Sequence, residues 1–255
     1  MPRDGEPDPS LSSPEPPRVE HPPPTRAERV LALLEVLICS DYPTQLALGA
    51  TFAALGYGPS SATGLSFPYV VFVSLADTVL LLALIAMILV IRGERPADLL
   101  LGSRSVASEA RAGASLALVA LALGVTILLV IQLVAPSLHD VPTNPLQSLI
   151  RTPRDAMVFG VVVVLAGGVR EEIQRAFLLH RFERWLGGGA VGVLTTSLLF
   201  GAGHRIQGID AAMATGLLGA FWGAIYLRRR SVVAPIVSHS GFNLLQLAQF
   251  LTFAR

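Results

Sequence analysis

The sequence predicts an all-α, polytopic transmembrane bundle of about seven helices, within a range of roughly six to eight. Three observations predict it. Hydrophobic side chains make up 52% of the 255 residues and charged ones only 15%, and the mean hydropathy is +0.60, too apolar for a soluble domain of this size. Long runs escape the charge that a soluble helix carries every turn or two: Phe67 to Ile91 has one charged residue, Asp77, in 25 positions. As a helix that run spans roughly 37 Å, enough to cross a hydrocarbon core with some tilt. Basic residues, all arginine, cluster in alternate connectors, as the positive-inside rule requires.

The first 28 residues hold half of the chain's 18 prolines among Ser, Glu, Asp and Arg. Such a composition buries too little apolar surface to fold, so a disordered cytoplasmic tail is expected over 1–28. No apolar core of a cleavable signal precedes Val30. The N-terminal spans and loops then occupy 29–154. Val30 to Gly56 is apolar but broken by Ser40, Asp41, Tyr42 and Pro43, which predicts one kinked span or two half-spans. Phe67 to Ile91 is the clear second span. A connector with Arg92, Arg95, Arg104 and Arg111 leads to a third, about Ala112 to Ala135. The Pro-, Asn- and Ser-rich segment from Pro136 to Arg154 reads as an external loop with room for an interfacial helix.

A helical core is expected over 155–255. One long helix starts near Asp155 in lipid and runs through the charged stretch Arg170 to Arg184, with no breaker before Gly187 to Gly189. Three further spans follow: about Ala190 to Ala202, Ala211 to Leu227 and Val232 to Phe253. Arg228, Arg229 and Arg230 mark a cytoplasmic turn between the last two, whereas Gly58 to Ser66 carries no arginine. The pattern places the N-terminus in the cytoplasm and the chain in the cell's inner membrane, crossing it several times. A net charge of +1 and the absence of a phosphate-binding glycine loop offer nothing to nucleic acid or nucleotide. The single cysteine, Cys39, excludes an internal disulfide.

Ionisable groups inside membrane spans are costly, and each is a functional hypothesis. Three places concentrate them. In Gly-Gly-Val-Arg-Glu-Glu-Ile-Gln-Arg, Arg175 lies four residues after Glu171 and three after Glu172, so its fork can clamp either carboxylate and leave the other free as a base. A solvated helix end with ordinary ion pairs is the plainer alternative. Phe200-Gly-Ala-Gly-His204 ends an apolar span on an imidazole, either interfacial or functional. In the last span His239 and Asn243, at i and i+4, share one helix face. They can bind a developing oxyanion or join two helices. A carboxylate pair, a histidine and a His/Asn pair on three separate spans point together to a centre that activates water.

These motifs resemble those of the CAAX protease and bacteriocin-processing family of intramembrane glutamic endopeptidases, over about Gly167 to Asn243. The family pattern is a Glu-Glu pair with a downstream arginine, then Phe-x-x-x-His, then His-x-x-x-Asn. Phe200 and His204 fit the second motif, His239 and Asn243 the third. The first departs from it: the family has three residues between the pair and the arginine, and here only Ile173 and Gln174 intervene. Aligning Arg175 puts Arg170 at the first glutamate; aligning the pair makes Glu171 the first. Glu171 is preferred as base, because it keeps an i, i+4 clamp with Arg175 and a carboxylate must face the histidines.

The resemblance implies that Glu171, helped by His204, activates water, that His239 and Asn243 stabilise the oxyanion, and that Glu172, Arg175 and Phe200 support them. It implies no cofactor and no covalent acyl-enzyme. A cavity among the spans bearing these groups is expected to receive a membrane-associated peptide or protein. Zinc held by His204, His239 and a glutamate is the second enzymatic reading. Outside catalysis, a membrane scaffold or a bacteriocin self-immunity protein of the same family fits the altered first motif and the small residues Gly216, Gly219 and Gly223. A transporter is weaker for want of a repeat.

Overall fold

The computed structural model describes residues 23–61 and 64–253. The expected tail lies outside the described residues as far as 22. Its last residues are helical, because Thr25 and Glu28 form a reciprocal capping box that starts α1 at Arg26–Ile38. Helix α2, Tyr42–Ala54, follows with Pro43 in its first turn, and the two helices bend by 43° at the Ser40–Asp41 break. Asp41 takes a left-handed backbone there, φ 81°. A two-residue antiparallel ladder, Ser60–Ser61 with Gly64–Leu65, is a small departure from an all-helical chain.

Helix α3 spans Phe67–Ile91, capped by Ser66, with the short α4 at Pro96–Leu100 and α5 at Val106–Val134. In place of an interfacial helix, the next connector carries single 3-10 turns at Pro136–Leu138 and Gln147–Leu149. Its prolines deny a longer helix its amide donors. Helix α6, Pro153–Val162, passes through a π-helical segment, Val163–Arg170, into α7, Glu171–Trp185. Gly187 and Gly188, both at positive φ, end the run. Helices α8, Gly189–Gly203, α9, Ile209–Arg229, and α10, Val233–Phe253, complete the fold.

The chain is a helical membrane bundle. Among the described residues three helices, α3, α5 and α9, are long and apolar enough to cross a membrane alone, or four if the bent α1–α2 pair is one span. The count of about seven is not reached on that measure. Helix α8 is apolar but short, and the α6–α7 run and α10 carry the polar groups of the site.

Small residues decide which helices meet. Gly113 and Ala117 of α5 lie against Val237 and Gly241 of α10. Gly216, Gly219 and Gly223 form one stripe on α9, against Ser197, Phe200 and Val193 of α8. A Cβ on Gly201 would lie 2.7 Å from the Ala212 carbonyl oxygen and 3.2 Å from the Gly216 Cα, both backbone atoms. Gly201→Ala is therefore expected to destabilise the fold by about 1–3 kcal/mol. Gly160→Ala, whose Cβ would meet the Leu247 and Leu244 side chains at 3.6 and 3.9 Å, ordinary contact distances, should be nearly neutral; thermal unfolding in detergent compares the two.

The two ends of the bundle differ chemically. At one, Arg181, fully buried, reaches both carboxylate oxygens of Glu94 from its Nη1 at 2.7 Å and lies 2.7 Å from Glu35, which also receives Arg92 at 2.6 Å. Arg229 forks onto Glu109 at 2.7 and 2.9 Å, and Arg230 pairs with Glu183. Tyr226 and the Val232 amide donate to the Leu99 and Leu100 carbonyls. The 136–152 loop caps the other end through the ion pair Arg205–Asp140 at 2.6 Å, the Asn144–Gln207 bond at 2.9 Å, and the His139–Asp210 contact at 2.7 Å.

Candidate active site

Glu171 and Glu172 stand where the π segment returns to α-helix. Gly167 and Gly168 let α10 come close: a Cβ on Gly167 would meet the Asn243 amide nitrogen at 2.6 Å, and one on Gly168 would collide with Ser240. Asn243 donates to the Val163 carbonyl at 3.3 Å, where the α-helical pattern gives way to the wider π turn.

The two carboxylates face different partners. Glu172 is buried, accepts from Arg175, and receives the His239 Nδ1 at 2.8 Å. Glu171 lines the cavity described below, accepts from Arg170 Nη2 at 3.2 Å, and lies 3.8 Å from His239 Nε2. The expected i, i+4 clamp of Arg175 on Glu171 is not formed. Arg175 takes the i, i+3 partner, Glu172, because its guanidinium lies over the Phe200 ring at 4.7 Å, on the side facing α8 and α9. Glu171 is the cavity-facing carboxylate for a different reason: Arg170 holds it.

His239 is clamped on both faces of its chemistry. Trp222 stacks on the ring, centroids 3.8 Å apart and planes at 15°, and Trp222 Nε1 donates to Ser238 at 3.1 Å. With Nδ1–H given to Glu172, the Nε2 atom is turned toward Glu171. His204 Nδ1 lies 2.8 Å from the Phe200 carbonyl, which can only accept. Nδ1 therefore carries the hydrogen, and in the neutral ring Nε2 keeps its lone pair.

Arg170, Asp41, Asp77 and Trp222 belong to the same assembly. Arg170 is buried and binds Asp77 of α3 at 2.7 Å and Asp41 at the α1–α2 break. Asp77 had a sequence signal, as the one charge in an apolar span. Asp41 had a weaker one, at a helix break, and Trp222 had none.

A cavity of about 800 Å³ joins Glu171, Phe200, His204, His239 and Asn243 and runs to the 136–152 loop. The expected cavity is thus present, between the α6–α7 run, α5, α8, α9 and α10; Glu172 and Arg175 do not line it. Among the described residues no three His, Cys, Asp or Glu side chains converge in a group that could hold a metal ion.

Outside the spans, the Ile209 amide and Arg205 hold the Asp140 carboxyl below the usual carboxylate range. A depressed folded pKa adds stability above the unfolded value and loses it as pH falls through the folded one. Amides of the 139–151 loop are expected to lose hydrogen-exchange protection below about pH 4 in the native chain. In Asp140→Asn they should be weakly protected at every pH.

Residues 153–245 match the family model described as Type II CAAX prenyl endopeptidase Rce1-like. The match covers less than half of the chain but includes every side chain that converges on the cavity from α6 to α10 up to Asn243. This region therefore carries the pattern of a CAAX-type intramembrane endopeptidase, a hydrolase family. No curated protein and no solved structure matches the chain.

Proposed function

We propose that this protein is a glutamic intramembrane endopeptidase, hydrolysing a peptide bond of a membrane-associated peptide or protein with water activated by Glu171. One observation carries the reading: of the two carboxylates only Glu171 faces the cavity, beside His204, His239 and Asn243. Glu171 takes a proton from water as the oxygen bonds to the carbonyl carbon. The C–N bond then breaks and the proton passes to the leaving amine. His204, with its free Nε2, shares the proton transfers. Asn243 steadies the oxyanion through its carboxamide N–H, and His239, whose Nδ1–H is already given to Glu172, can donate to it only from Nε2. Glu172, Arg175 and Trp222 act as positioning residues for that imidazole.

A multi-pass inner-membrane location with a cytoplasmic N-terminus fits the arginine distribution. The scaffold or immunity reading loses one support: the glycine stripe of α9 is covered by α8 of the same chain rather than left for a partner.

The test is cleavage of a membrane-peptide library by purified protein in detergent, with and without chelator. Chelator-resistant cleavage that falls by about 10²-fold or more in His204→Ala is expected. Chelator-sensitive cleavage would transfer the chemistry to a metal. No cleavage by the native chain, with a cellular phenotype that survives the substitution, would favour the scaffold.

A further inference from the structure

The cavity is closed at one end of the bundle and reaches the surface at the other. On α7 the site is followed by Ala176, Phe177 and Leu179, all without exposed surface, and then by the buried Arg181 with Glu35 and Glu94. No lining residue belongs to that layer. In the other direction the lining continues from Glu171 to Gln132 at the end of α5, to Asn144 in the 136–152 loop, and to Gln207 and Asp210 before and at the start of α9. Along α9, Asp210 at this mouth and Arg229 in the arginine layer are 19 residues apart by number, roughly 28 Å of helix.

Charge orients the two ends. The connectors 92–111, 181–184 and 228–230 lie at the sealed end, whereas the mouth end has only Arg151, Arg154 and Arg205 among the described residues. Arginine-rich connectors stay in the cytoplasm. The wall adds a chemical preference: beyond the catalytic groups and the His139–Asp210 pair, its polar side chains are largely carboxamides, those of Gln132, Asn144, Gln147, Gln207, Gln246 and Gln249. Carboxamides donate and accept without charge, matching the amides of an extended backbone.

We propose that the cavity admits its substrate from the non-cytoplasmic side, through the mouth formed by the 136–152 loop and the start of α9, and that the occupant is an uncharged, extended peptide segment threaded end-on toward Glu171. This rests on the peptidase reading for the fate of the segment, but not for the direction of access.

The experiment uses single cysteines in the full chain, in right-side-out membrane vesicles treated with a membrane-impermeant maleimide. The native chain, whose Cys39 is buried, is the blank. Gln207→Cys and Asn144→Cys, two independent mouth positions, are expected to label at least tenfold faster than Arg228→Cys, which should react only after permeabilisation. Thr215→Cys, deeper in the cavity, should react with a small charged thiosulfonate from the outside and be slowed by an uncharged peptide more than by a charged one of equal length. Labelling of Arg228→Cys from the outside with protected mouth positions would overturn the direction of access. An unreactive Thr215→Cys beside a reactive mouth would overturn the path, and equal slowing by both peptides would overturn the substrate class. None of these readings needs turnover, so a native chain that labels as expected but cleaves nothing would refute the peptidase and leave the access route standing.

Discussion

Glu171→Gln is expected to lower kcat/KM by about 10²–10⁴-fold, the range for loss of a positioned general base, while leaving the fold almost unchanged. The carboxamide keeps the size of the side chain and an oxygen that can still accept from Arg170 Nη2, but it cannot take a proton from water. Glu172→Gln tests the division of labour. Its carboxylate is buried between Arg175 and His239, so its loss should lower both activity and thermal stability. The stability loss distinguishes positioning from base catalysis. Measured together, kcat/KM and the melting temperature in detergent separate the two carboxylates: an active Glu171→Gln with an inactive but fully stable Glu172→Gln would reverse their assignment.

Arg170→Met is expected to destabilise the protein by about 3–5 kcal/mol, because it leaves the Asp77 and Asp41 carboxylates without their shared cation. Asp77 is only 2% exposed, so water cannot replace the guanidinium. Removing the charges together should restore much of the loss: the triple variant Arg170→Met, Asp41→Asn, Asp77→Asn is expected to be more stable than Arg170→Met alone. Equilibrium unfolding in mixed micelles measures both. A cost within about 1 kcal/mol for Arg170→Met would mean that the network contributes nothing beyond a surface ion pair. The same substitution frees Glu171 on one side, so the part of the activity loss that the triple variant does not recover reports on how Arg170 holds the base.

Much of the architecture was legible because lipid imposes a simple rule: backbone polar groups must be satisfied within each span, so apolar runs become helices. Phe67 to Ile91 is helical over that whole range, and the first apolar region bends at Ser40–Asp41, where its sequence is broken. The converging side chains were legible for a related reason. Charges and imidazoles are rare inside apolar helices, so Glu171, Glu172, His204, His239 and Asn243 stood out, and the i, i+4 spacing put the last two on one face.

Pairing was not legible. Arg175 was within helical reach of both glutamates, and spacing alone left either as its partner. The choice came from Phe200, on another helix, whose ring receives the guanidinium. The π turn over Val163–Arg170 rotates the residues that follow it, and no local pattern of residue types announced it. Trp222 stacks on His239 across two helices and left no trace in either segment.

The sequence by itself determined that this chain is a helical membrane bundle, where most of its helices begin and end, and which rare polar residues are brought inside it, because each of those follows from transfer free energy and helix periodicity within one segment. The tertiary structure alone decided that Glu171 faces the cavity, that Glu172 holds His239, and that Asp41 and Asp77 anchor Arg170. Those are contacts between segments far apart in the chain, and the approach of their backbones through Gly167, Gly168 and Gly216 selects one partner among several that each side chain could reach.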